Sequence, residues 1–338
     1  MSEKIRNILP LGFPWQTQDP FLFCVHHKDF YPEGNENLGP KASLAGRNLG
    51  SDFAIKDGWR MYHGQQVPGF PAHPHRGFET VTIARQGFVD HSDSLGAAGR
   101  FGEGDVQWMT AGKGVQHCEM FPLLNENGPN TLEIFQIWLN LPAKNKMVDA
   151  HFDMLWAESI PEVKISDENG KASNVRVIAG TFEGHQAPPP APNSWAKDPQ
   201  NEVMILTFKM EAGAKLKLPP CASGDCNRSL YFFDGTSITI DGRSIPPQQA
   251  IFLNPNHEII IENGDVEGDF LVLQGKPIGE PVAQYGPFVM NSNAEIQGAI
   301  ADYQQTQFGG WPWSSSEQVH SKEKGRFAKF VDGTLVTK

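Results

Sequence analysis

Short apolar runs recur along this chain between glycine- and proline-bearing turns, and that rhythm confines it to an all-β fold. The runs FETVTIARQG (78–87), TLEIFQIWLNL (131–141), EVMILTFKM (202–210), SLYFFDG (229–235), AIFLN (250–254), EIIIEN (258–263) and DFLVLQG (269–275) have strand composition. Turns fall at Asp234-Gly235, Asp241-Gly242 and Gly264-Asp265. With 34 glycines and 26 prolines spread through 338 residues, long helical periodicity is scarce. One helix is predicted, AEIQGAIADYQQ (294–305), with Asn293 as N-cap and Ile296, Ile300 and Tyr303 on one stripe.

The strands fall into two groups, at about 20–145 and about 172–277. The length suits two domains of roughly 100–200 residues each. A weak duplication is visible: GEGDVQWMTAGKGVQH (102–117) and DGRSIPPQQAIFLNPNH (241–257) share a layout that ends in a histidine. Between the groups, SDENGKASN (166–174) reads as a turn-rich connection. HQAPPPAPNSWAKDPQN (185–201) reads as a loop, either a lid or an exposed excursion. The tail beyond Phe308 reads as an extended arm.

The formal charge of −11 excludes a nucleic-acid surface as the main business, because phosphate binding needs a basic face. No apolar stretch approaches the ~18 residues of a membrane span. Met1–Phe13 lacks the apolar core of a secretory signal. A cytoplasmic protein with reduced thiols is the expectation for Cys24, Cys118, Cys221 and Cys226. Cys221 and Cys226 are close enough for a metal or redox pair, but their spacing reads first as that of loop cysteines.

Eight of the 11 histidines lie at or before residue 151. Two short pairs stand out: His73 with His75, and His117 with Glu119. In a strand, residues i and i+2 share a face, so each pair places two ligand-type side chains together. A lone histidine is most often a satisfied core residue, but buried imidazoles in two such pairs need a metal or hydrogen bonds. Three imidazoles and a carboxylate suit a divalent first-row metal better than magnesium or calcium. Glu79, i+4 from His75, is in phase with the same face, so either Glu79 or Glu119 can be the carboxylate ligand. A spare Glu79 would pair with Arg76 or another cation. His26 and His27 are adjacent, so at most one nears the site; His91 reads as a turn residue, and His63 and His151 as surface or supporting residues. Cys118 points to the opposite face as a small buried residue.

The runs FPAHPHRGFETVT (70–82), GDVQWMTAGKGVQHCEM (104–120), IWLNLPAKNKM (137–147) and GPFVMN (286–291) closely resemble the pirin family of the cupin superfamily. The resemblance spans nearly the whole chain. It implies two cupin barrels (double-stranded β-helix, or jelly-roll) packed face to face, with a short C-terminal helix. The expected division is a metal-binding barrel at 1–160, a barrel without metal at 161–290, and a helix and tail at 291–338. It implies one mononuclear metal, iron(II), held by His73, His75, His117 and Glu119, with Glu79 displaced from that role; Mn, Ni, Cu, Co and Zn also tolerate such donors. The strand aligned with the first pair, AKLKLPP (214–220), carries no ligand, and only His257 survives near the second.

Family members resemble quercetin 2,3-dioxygenases, which open the central ring of a flavonol with O2 and release carbon monoxide. That resemblance implies a flavonol-like aromatic substrate, O2 as co-substrate, and Glu119 as the group that takes the 3-hydroxyl proton. Glu79, Arg76, Phe78, Trp108, Gln116 and Gln136 are the supporting or pocket candidates, and Met109, Phe135, Ile137 and Trp138 are further wall candidates, half of which must face away by alternation. Animal pirins resemble regulators whose iron state alters a protein-binding surface, so a redox sensor with a protein partner is the alternative. A monomer is expected, with neither nucleic acid nor membrane as partner.

Overall fold

The computed structural model describes residues 3–338. In chain order, the first strands are β1 (Ile5–Pro10), β2 (Phe21–Tyr31), β3 (Gly69–His75), β4 (Phe78–Gln86), β5 (Phe88–Asp93), β6 (Ala98–Gly102), β7 (Val106–Thr110), β8 (Val115–Met120), β9 (Asn130–Asn140) and β10 (His151–Leu155). Then come β11 (Glu162–Ser166), β12 (Ala172–Ala179), β13 (Thr181–Phe182), β14 (His185–Gln186), β15 (Met204–Met210) and β16 (Lys215–Leu218). They are followed by β17 (Asn227–Asp234), β18 (Ile238–Ile240), β19 (Arg243–Ile245), β20 (Gln249–Leu253), β21 (Ile259–Asn263) and β22 (Gly268–Gly275). The chain closes with β23 (Ala283–Tyr285), β24 (Phe288–Met290), α1 (Asn293–Thr306), β25 (Phe327–Lys329) and β26 (Leu335–Thr337). The all-β expectation holds, and α1 is the one α-helix among the described residues.

Contacts divide the chain into two units. The N-terminal unit comprises 26–136, 141–157 and 280–338; the C-terminal unit comprises 1–25, 137–140 and 158–279. Residues 1–25 group with the later half because β1 pairs antiparallel with β20.

In the N-terminal unit, a five-stranded sheet (β10-β7-β4-β9-β2) and a six-stranded sheet (β26-β25-β6-β5-β8-β3) enclose one core. Met109, Ile134 and Phe152 come from the first, and Val89, Phe101, Val115 and Ala328 from the second. Residues 327–337 extend the sheet through β25, which pairs with β6, so the extended arm packs as an added strand. Arg100, fully buried, fastens this segment: it grips Asp90 at 2.7 and 2.8 Å and donates to the carbonyls of His320, Ser321 and Lys324.

In the C-terminal unit, a seven-stranded sheet (β1-β20-β17-β22-β15-β12-β11) and a four-stranded sheet (β16-β21-β18-β19) pack through apolar inner faces. Leu206, Phe208, Phe232 and Phe270 meet Leu216, Leu218, Ile259 and Ile261 there. The 185–201 segment is partly structured, with the β13–β14 hairpin leading into it and two short 3-10 turns at Trp195–Lys197 and Pro199–Asn201.

Two local expectations shift. The helix N-cap is Ser292, not Asn293; the Ser292 hydroxyl accepts from the Glu295 N–H at 3.3 Å. The phase from His75 to Glu79 is broken. Gly77 takes φ +86 between β3 and β4, where a Cβ would lie 1.9 Å from the Val289 carbonyl oxygen. His75 and Glu79 therefore lie on different strands of different sheets.

Candidate metal centre

The site rests on the β3–β8 ladder. His73 and His117 are direct cross-strand partners, and His75 and Glu119 each lie two residues along from one of them. A bulge between Phe70 and His73 adjusts this register, and the Pro71 carbonyl inside it accepts the His73 Nδ1–H at 2.8 Å. That bond fixes the tautomer and leaves Nε2 as the donor atom. Pro74 is tolerated because β3 is a sheet edge, where a missing N–H breaks no second ladder.

The donor atoms of His73, His75 and His117 all lie within 4.8 Å of one another. Ring centroids are 4.5 Å apart for His73–His117, 4.8 Å for His73–His75 and 4.9 Å for His75–His117. Burial, and then the neighbouring imidazoles, hold His75 and His117 well below the ordinary histidine range; burial brings His73 down to about 4. All three are neutral near pH 7, the form that binds metal. His117 is fully buried and neither ring nitrogen has a hydrogen-bond partner among the described residues. Such an orphan costs about 1–3 kcal/mol unless something fills its lone pair, and the nitrogen donor set fits a first-row transition ion.

Glu119 stands beside this group, its Oε2 3.9 Å from His117 Nε2. Thr82 Oγ1 lies 3.0 Å from Glu119 Oε1 and 2.7 Å from Gln136 Oε1, while Gln136 Nε2 donates to Glu119 Oε2 at 3.2 Å. One Thr82 hydroxyl proton cannot serve both oxygens. It donates to one of them at a time, and burial pushes the Glu119 carboxyl above the usual range while Thr82 and Gln136 work against that shift.

Other sequence candidates sit at varied distances from this centre. The Phe78 ring is 5.1 Å from His75. Gln107 pairs with Thr82 across the β4–β7 ladder and shares its face, so Trp108 points the other way. Glu79 also takes the face opposite Thr82 and accepts from the Thr110 hydroxyl at 2.7 Å. Arg76 reaches Asp302 at 2.8 Å and the Lys113 carbonyl at 2.6 Å. Gln116 donates to the Gln307 and Gly310 carbonyls and accepts from Tyr303. Both side chains organise α1 and its end rather than the histidines. Phe135 faces away from Gln136 and stacks on His26, 4.6 Å between centroids. Cys118 is buried on the far face, with its thiol directed to the Gln318 carbonyl.

Three residues escaped the sequence reading. Thr82 is one. His91, read as a turn residue, is inside β5, opposite Glu119 in the ladder, with its ring 5.5 Å from His117. Strand alternation through FVDHSD would have found it. Gln107 is fully buried and both its amide atoms lack partners among the described residues; a glutamine at inward parity in VQWMT was the available signal.

The pirin family model matches residues 14–139, and that of the pirin C-terminal cupin domain matches residues 205–309. A Pseudomonas aeruginosa protein provisionally named quercetin 2,3-dioxygenase is 39% identical over 245 residues, covering 72% of this chain and 80% of its own. The chain belongs to the pirin family. Human pirin is 34% identical over 253 residues, covering 73% of this chain and 80% of its own. A crystal structure of quercetin 2,3-dioxygenase from Acinetobacter baumannii is similar with a TM-score of 0.70 at 29% identity, over 91% of this chain and 99% of that one. The chain thus carries the two cupin domains of a pirin, and His73, His75 and His117, within the first matched segment, form a possible metal site. No helix among the described residues is long and apolar enough to cross a membrane.

Proposed function

We propose that this pirin is a mononuclear iron dioxygenase that opens flavonols with O2, with His73, His75, His117 and Glu119 as the ligand set. The observation that carries the metal reading is the fully buried His117, both nitrogens unpaired, within reach of two further imidazoles and a carboxylate. A bound divalent iron supplies Lewis acidity toward the flavonol 3-hydroxyl and a route for electron density toward O2. Glu119 accepts the 3-hydroxyl proton; burial raises its affinity for that proton, and Thr82 and Gln136 hold its orientation. Of the four residues only His73 is more than slightly exposed, so substrate arrives from its side. Phe70 stands there, its ring 6.4 Å from His73 and 5.1 Å from Tyr62, an aromatic approach suited to a flat ring system. Gln107 offers an unpaired amide on the Thr82 face for a substrate oxygen.

The test is flavonol absorbance, O2 uptake and carbon monoxide release on one iron-loaded sample. Turnover with one carbon monoxide per flavonol, absent in His117→Leu, supports the reading. Full iron loading without turnover contradicts it and transfers the site to the redox-sensor reading.

A further inference from the structure

The C-terminal unit holds a second group of ligand-type side chains. Glu202, Cys221 and Cys226 each offer an atom, all within 4.8 Å of one another. Glu202 lies just before β15, Cys221 follows Pro219-Pro220, and Cys226 immediately precedes β17. The loop between the cysteines is held in place. The Cys221 N–H donates to the Pro255 carbonyl at 2.8 Å, and Gly224 turns the chain with φ +75. Glu202 has φ +45, uncommon for a residue with a side chain. Its carboxylate accepts from the N–H groups of Ala222 at 2.8 Å and Ser223 at 2.6 Å, so it is already drawn to the loop that carries both thiols.

Arg228 is the second observation. It is 1% exposed; Nε donates to Gln274 and Nη2 to the Pro219 carbonyl, both at 2.7 Å, while Nη1 has no hydrogen-bond partner among the described residues. Its Nη2 bond to the Pro219 carbonyl, two residues before Cys221, and its own position two residues after Cys226 set the guanidinium beside the cysteine loop. A buried cationic N–H without an acceptor is costly.

We propose that Cys221, Cys226 and Glu202 bind one Zn2+ ion, with water as fourth ligand and Arg228 donating to the anionic ligand sphere. Two sulfurs and a carboxylate at C-x4-C spacing suit tetrahedral zinc. Binding releases one proton from each thiol to solvent. Two thiolates, one carboxylate and Zn2+ carry a net charge of −1, which the guanidinium offsets. Zinc–sulfur bonds of about 2.3 Å set the sulfurs about 3.8 Å apart, within a short side-chain adjustment of the present spread. The ion would tie the end of the Pro-rich 185–201 segment to the start of β17.

Cobalt(II) titration of the full, reduced chain tests this, because only cobalt–thiolate bonds give a near-ultraviolet charge-transfer band. The band should appear in wild type, saturate at one equivalent in His117→Leu, where the histidine site is lost, and vanish in Cys226→Ser. Zinc affinity in Cys226→Ser should fall by more than the roughly 10–100-fold that an outer-sphere partner is worth. Absence of the band in wild type, with equal zinc content in wild type and Cys226→Ser, overturns the proposal. So does a Cys221–Cys226 disulfide in the freshly isolated, metal-free chain. If Cys226→Ser fails to fold, alkylation of wild type decides: zinc protects both thiols if the site is real, and leaves their alkylation rate unchanged if it is not.

Discussion

Two strand pairs in this molecule are laid out alike and filled differently. In the N-terminal unit, edge strand β3 pairs with β8 and sets His73 opposite His117. In the C-terminal unit, edge strand β16 pairs with β21 and sets Leu216 opposite Ile261 and Leu218 opposite Ile259. The second pair joins an apolar core, where each such side chain stabilises by about 1.5–3 kcal/mol. The first buries His117 with neither ring nitrogen paired among the described residues, a cost that a ligand would offset. One scaffold position thus serves either stability or chemistry, and the side chains decide which.

The most severe way to break the contrast is to make the first pair resemble the second. His117→Leu should abolish iron binding and flavonol turnover, each by more than ~1000-fold, since it removes a ligand from the centre of the set. The same variant, stripped of metal, should unfold at higher urea than stripped wild type, by about 1–3 kcal/mol, because an unpaired buried polar ring has gone. Metal analysis and urea melts measure both. The reverse change, Leu216→His, should lower stability by about 2–4 kcal/mol and recruit no metal, as it places one imidazole in an apolar core cluster.

Supporting residues come next. Gln136→Leu or Thr82→Val should weaken metal affinity by about 10–100-fold while the chain still folds, read by competition with a chelator.

Acid should separate the units too. A buried histidine whose folded value lies below its unfolded value of about 6.5 gains its proton only on unfolding. Stability from this source is complete above pH 6.5 and is lost as pH falls toward the folded values, about 4 for His73 and about 3 for His27. The slope is at most ~1.4 kcal/mol per pH unit for each group. The C-terminal unit has only His185, exposed, and His257, half-buried. Hydrogen exchange on the metal-free chain, corrected for intrinsic rates, should show β3 and β8 losing protection between pH 7 and 5 more than β16 and β21. The smallest effect belongs to Gln116→Ala, which should cost about 1–2 kcal/mol and leave metal content unchanged, since its bonds go to the end of α1.

The meeting of the two pairs was legible because strand alternation is a local rule: residues 73 and 75 share a face wherever β3 runs. Glu79 was misplaced because a single left-handed glycine, Gly77, ends that strand between the two residues. His91 was hidden by its polar neighbours, Asp90, Ser92 and Asp93, which resemble a turn but serve a buried strand. Thr82 and Glu202 were invisible for a different reason. Thr82 meets Glu119 across 37 positions, and Glu202 meets the cysteine loop from about 20 residues away. Such contacts exist only once the sheets have formed. The overall β pattern, by contrast, is written in short-range turn chemistry, and the helix start moved by one residue only.

Anomalous scattering at the iron edge, from crystals of the iron-loaded chain, tests the central claim most directly. One peak per chain should stand among His73, His75, His117 and Glu119, with none between Leu216 and Ile261. A peak elsewhere in the chain, or none at full iron loading, would contradict the account.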